Sequence, residues 1–132
     1  LKNNQGEVLI LRALDDGNTF AGFYDLPGGR IDDNEFNVSL TDILKRELNE
    51  EIGSIEVAIN STPVALGRAE VNNNKVRVIY ILFEADYQGG EVNISEEHTA
   101  YKWVKLEDIK LEDYFVSGIL DSIKMYLQYE KS

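Results

Sequence analysis

The segment from Ser39 to Ile52 reads as an amphipathic helix whose charges stand in the wrong place for an ordinary one. On a wheel at about 100° per residue with Leu40 at zero, Ile43, Leu44, Leu48 and Ile52 form an apolar arc from about 300° round to about 120°. Glu47 falls at about 340° and Glu51 at about 20°, in the middle of that arc, while Glu50 sits at its edge at about 280°. Lys45, Asn49 and Asp42 take the opposite face, where charge belongs. Like charges at this spacing repel, and half-buried carboxylates are costly unless a cation compensates them. Arg46, at about 240°, can support Glu50 but cannot neutralise three acids. A solvated acidic face is the usual meaning of three glutamates on a helix, and it fails here because two of them point inward. Hard oxygen donors with no Cys or His among them suit Mg²⁺ or Mn²⁺. Glu47, Glu50 and Glu51 are therefore read as metal ligands.

The chain entering this helix is equally patterned. Phe20 to Leu26 reads as a strand that delivers Pro27-Gly28-Gly29, where paired glycines permit positive φ or a close backbone approach. Ser39 and Asp42 have capping-box-like spacing, and Gly53 suits the helix end.

These residues resemble the signature of the Nudix hydrolases: Gly, five residues, Glu, seven residues, then Arg-Glu-aliphatic-x-Glu-Glu-x-Gly-aliphatic. Gly29, Glu35, Arg46, Glu47, Leu48, Glu50, Glu51 and Gly53 match. Ten residues rather than seven separate Glu35 from Arg46, and Ser54 replaces the final aliphatic. The extra residues fall between Glu35 and Ser39, leaving the helix intact and putting in question only Glu35, whose family role is to brace the loop. The resemblance implies an α+β Nudix fold, a mixed β-sheet sandwiched between helices (α/β/α), in a single domain over residues 1–132. It also implies a carbonyl ligand at Gly28, and a further ligand or general base from a loop Glu shortly before a Tyr-x-Trp-Val strand. Glu97 is that residue here, with Glu96 in reserve; Trp103 is read as core. Arg46 is expected to orient the glutamates, and Glu50 or Glu97 to act as base.

The implied activity is Mg²⁺-dependent hydrolysis, with Mn²⁺ able to substitute, of a diphosphate linkage in a nucleoside diphosphate derivative. The substrate markers of some relatives are missing: Pro63 lies too close to the box, and residues 69–72 contain no Tyr. Elimination leaves nucleoside triphosphates or nucleotide sugars. Arg30 and Arg77 are candidate phosphate contacts, each with a solvated side chain as the competing reading. Phe20, Phe23 and Tyr24 are candidate base-stacking rings, with core packing as the alternative. His98, the one histidine, is given a structural or rim role. The main alternative is a non-catalytic nucleotide sensor of the same fold, disfavoured because a sensor has no need of three unshielded carboxylates. An isomerase of this fold would be expected to use a Cys, and none is present.

Elsewhere the sequence limits rather than specifies. Thirteen basic against twenty-four acidic residues give a net charge of −11, which argues against a nucleic-acid or anionic-membrane surface. No signal peptide or long apolar run is evident, so a cytoplasmic enzyme is expected. A homodimer is left open. Glu7 to Leu14 reads as a strand, and because the chain starts at Leu1, mid-pattern and without Met, a short strand ahead of Leu1 is expected to be missing. Asp15 to Asn18 and Asn72 to Asn74 read as turns, Ser54 to Leu66 as β structure interrupted at Asn60–Pro63, Val76 to Phe83 as a central strand, and Asp113 to Glu130 as the second helix.

Overall fold

In the computed structural model, residues 1–15, 21–71 and 75–131 are described. The proposed ring of Phe20, Asp16 to Asn18 of the first turn and the Asn72–Asn74 turn lie outside them. The strands are β1 (Val8–Ala13), β2 (Tyr24–Asp25), β3 (Glu56–Val71), β4 (Val76–Gly89) and β5 (His98–Val104). The helices are α1 (Leu40–Ile52), α2 (Leu111–Tyr114) and α3 (Ser117–Glu130).

β1 is the keel of the fold. Its run Val8-Leu9-Ile10-Leu11 is apolar at every position because both faces are covered. Val8 and Ile10 join Phe115, Ile119 and Ile123 on the α3 side, whereas Leu9 and Leu11 join Leu48 and Ile52 of α1. The α/β/α layering follows from that alternation. β1 pairs antiparallel with β2 on one edge and β5 on the other, and β3 pairs antiparallel with β4. Lys2 bridges antiparallel to Val8 and parallel to Asp86, which ties the two ladders into a mixed sheet.

Four expectations about the elements change. Of the strand expected over Phe20 to Leu26, the described residues form strand only at Tyr24–Asp25. The interruption at Asn60–Pro63 does not end a strand: β3 runs through it, and the register shifts between Ile59 and Pro63 and again between Pro63 and Ala65. A bulge absorbs Pro63, which has no N–H to donate. β4 runs on past the expected Val76–Phe83 to Gly89, with one face covered and the other open. Tyr80 and Leu82 pack on the α3 side, but Ile79 and Ile81 point outward with 71% and 45% exposure. The second helix is broken at Phe115 and Val116, which are both extended. Burying the Phe115 ring, 1% exposed, in the core requires the chain to leave the helical path there.

The start of α3 lies directly on β3. A Cβ on Gly67 would collide with the Gly118 carbonyl, and one on Gly118 would come within 2.6 Å of the Arg68 carbonyl oxygen. Both obstacles are backbone and cannot swing away. Gly67→Ala is therefore expected to destabilise the fold by at least about 2 kcal/mol, read as a lowered denaturant midpoint.

Candidate active site

α1 begins where Ser39 Oγ accepts the Asp42 N–H at 3.2 Å and ends at Gly53, whose φ of +87° suits glycine. Its carboxylates divide as the wheel predicts. Glu47 and Glu51 are each 9% exposed, and the Glu50 side chain is 57% exposed.

The first group of acids gathers around Arg46. Its Nε and Nη2 grip Glu35 bidentately at 2.7 and 2.6 Å. Nη2 also lies 2.9 Å from Glu47 Oε1, and Nη1 lies 3.0 Å from Glu50. The guanidinium reaches Glu35 across the lengthened loop because Asp32 to Glu35 folds into a short 3₁₀ turn with its own capping box. The loop glutamate thus keeps its brace despite the insertion. Arg46 holds the Glu35 carboxyl below its ordinary range, whereas burial pushes Glu47 up even with the guanidinium beside it.

Gly28 and Gly29 serve different purposes, and neither has a positive φ. A Cβ on Gly29 would land on the Glu47 carboxylate, while one on Gly28 would meet nothing within 4 Å. Gly29 is therefore the seat of the Glu47 carboxylate. Gly28 instead donates its N–H to Glu51 Oε2 at 2.8 Å. Gly29→Ala is expected to reduce turnover by about tenfold or more with little change in Tm, because the flexible Glu47 carboxylate moves away at small folding cost. Gly28→Ala is expected to change turnover far less. Parallel kinetics and thermal melts on the two variants check this contrast.

The second group forms at the end of α1. Its last carbonyls lack intrahelical partners, and the loop before β5 supplies them: Asn93 N–H donates to Ile52 O and Ser95 N–H to Glu51 O, both at 2.9 Å. This docking brings the next residues to Glu51. One ligand atom each from Glu51, Glu97 and His98 falls within 4.8 Å of the others. Behind them, His98 Nε2 lies 3.5 Å from Asp25 Oδ1. β1 places that pair, because Asp25 aligns with Leu11 on one edge and His98 with Ala13 on the other. Burial raises the Glu51 carboxyl to about 7, against the opposing pull of the Gly28 N–H, and Asp25 raises the His98 imidazole.

The other candidates scatter. Arg30 is exposed and lends its carbonyl to Arg46 Nη2 at 3.4 Å. Arg77 is 89% exposed on β4, 3.8 Å from Glu70. Phe23 is half-buried. The Tyr24 ring is occupied by packing, 5.5 Å from the Tyr114 ring, with the Lys102 ammonium 5.3 Å from both centroids. Glu96 is exposed. Asp25 and His98 are the residues that sequence reasoning left out of the site. The available signal was the adjacency of the one histidine to Glu97.

The donor set fits a divalent cation. Two carboxylates and an imidazole converge, and Asp25 Oδ1 and His98 Nδ1 are buried without hydrogen-bond partners among the described residues.

Comparison with known proteins gives one consistent family. The NUDIX domain model matches residues 1–123. Nucleoside triphosphatase NudI of Escherichia coli O139:H28 is 30% identical over 116 residues, covering 83% of this chain and 80% of the relative. The MutT protein from Methanosarcina mazei Go1 superposes with a TM-score of 0.74 at 29% identity, over 98% of this chain and 87% of that one. A C. elegans Ap4A hydrolase shares the fold, with a TM-score of 0.69 at 22% identity over 98% of this chain and 87% of that one. With this match across most of its length and the box glutamates on the helix that the fold requires, the chain belongs to the NUDIX family as a pyrophosphohydrolase.

Proposed function

We propose that this enzyme hydrolyses a diphosphate linkage in a nucleoside diphosphate derivative, with a nucleoside triphosphate as first substrate and a nucleotide sugar as second. The convergence of Glu51, Glu97 and His98 at the end of α1 carries this reading. The relative named a nucleoside triphosphatase supports the choice of first substrate. Glu51 and Glu97 would hold Mg²⁺, or Mn²⁺ in its place, with Glu47, Glu50 and the Gly28 carbonyl as the further expected ligands. When bound, the cation supplies neutralisation of phosphate charge and acidification of water.

The remaining work belongs to the chain. The Gly28 N–H occupies one Glu51 oxygen, which fixes the carboxylate and leaves its other oxygen for a ligand. Arg46 fixes Glu47 and Glu50 from behind, so that neither carboxylate needs to reorganise as charge develops. Glu97 and Glu50 are both exposed, so a carboxylate oxygen of either can accept the proton of an attacking water. Arg30, exposed and joined to Arg46 through its backbone carbonyl, is a candidate cation for a phosphate in a chain whose net charge is −11.

The test is phosphate and pyrophosphate release from a panel of nucleoside triphosphates, nucleotide sugars, ADP-ribose, dinucleoside polyphosphates and NADH, with Mg²⁺, with Mn²⁺ and with EDTA. Cleavage of one class that EDTA abolishes is expected, and silence across the panel would overturn the reading.

A further inference from the structure

His98 is 8% exposed at the first position of β5, yet among the described residues its Nδ1 has no hydrogen-bond partner. Its neighbour Asp25 Oδ1 is likewise buried and without one. An imidazole kept only for packing satisfies its nitrogens or gives way to an apolar residue. Here Nε2 lies 3.5 Å from Asp25 Oδ1, and a ring nitrogen lies within 4.8 Å of carboxylate oxygens of both Glu51 and Glu97. The three donors come from separate places: the last turn of α1, the loop docked on its end, and the first residue of β5. A carboxylate behind an imidazole is the arrangement that fixes the ring and its tautomer for metal ligation.

We propose that His98 is itself a metal ligand, forming with Glu51 and Glu97 a mixed nitrogen–oxygen site, oriented by Asp25, that favours transition-metal ions over Mg²⁺. The proposal rests on the metal-dependent reading of this site and specifies its chemistry. Oxygen-only sites suit Mg²⁺ and Mn²⁺, whereas an imidazole donor shifts preference towards later transition-metal ions such as Co²⁺ and Zn²⁺. His98 thereby makes metal choice a property of this chain's own sequence. Asp25 acts as a positioning residue, because it reaches the metal only through His98.

The probe is Mn²⁺ alone, added to the EDTA-stripped protein and read by titration and by pulsed EPR. Hyperfine coupling to an imidazole nitrogen is expected in the wild type and should vanish in His98→Gln. Zn²⁺, titrated in parallel, is expected to bind about tenfold or more tighter than Mg²⁺. His98→Gln should weaken Mn²⁺ while leaving Mg²⁺ nearly unchanged, and Asp25→Asn should weaken Mn²⁺ by about tenfold. The wild-type spectrum decides the matter even where a variant folds poorly. Bound Mn²⁺ without nitrogen coupling overturns the proposal, as does an unchanged preference in His98→Gln. Nitrogen coupling in a protein that cleaves no nucleotide would uphold the ligand and remove the hydrolase reading. Mg²⁺-dependent hydrolysis with no nitrogen coupling would do the reverse.

Discussion

Glu51→Gln is expected to lower turnover on the order of a thousandfold and, in the metal-free protein, to raise stability above pH 7. Both effects come from one side chain. Glu51 is buried beside Asp25 and Glu97, and its carboxyl is raised from 4.5 to about 7 by that burial. A folded-state value above the unfolded one means that the native protein binds more protons between the two. The contribution of Glu51 is therefore complete below about pH 4.5 and is lost as pH rises through about 7. The displacement corresponds to on the order of 3 kcal/mol. Glutamine retains an acceptor for the Gly28 N–H and carries no charge, so the loss with rising pH should flatten in the variant. Thermal melts in EDTA at pH 5 and pH 8 check the stability arm. A variant that loses activity by unfolding, or that remains active, would count against the role given to Glu51.

The second large effect is expected from Arg46→Ala. The guanidinium touches Glu35, Glu47 and Glu50 at once, so its loss releases the loop brace and leaves Glu47 buried without its cation. Turnover should fall by about 10- to 100-fold, with a lowered Tm. Arg46→Lys should recover little, because an ammonium cannot grip Glu35 with two parallel donors. Glu35→Gln keeps the carbonyl acceptor but loses the charge, and should give a milder version of the same defect. If Arg46→Ala retained full activity, the bracing role would be wrong.

How far the sequence could be read depended on whether neighbours in space were also neighbours in sequence. The wheel separated Glu47 and Glu51 from Glu50 correctly, because helix periodicity alone decides which face a residue takes. Ser39 and Gly53 marked the helix ends for the same local reason. The broken second helix was hidden because Val116, Ile119, Leu120 and Ile123 keep helical spacing. Only the demand to bury Phe115 and to bring Gly118 against β3 interrupts the backbone. His98 and Asp25 were hidden more deeply. They lie on opposite edges of β1, and no spacing rule joins residues that meet through two strand registers. Arg77 was ambiguous because alternation alone cannot tell a solvent face from a substrate face, and the structure places it on the exposed side of β4.

Metal binding at Glu51 is read by calorimetric titration of the EDTA-stripped protein with Mg²⁺ and with Mn²⁺, repeated on Glu51→Gln with its fold checked by circular dichroism. Saturable binding is expected in the wild type, and Glu51→Gln is expected to abolish it while remaining folded. Equal binding in both proteins would contradict the metal-site reading, as would a wild type that binds neither ion yet still cleaves nucleotides.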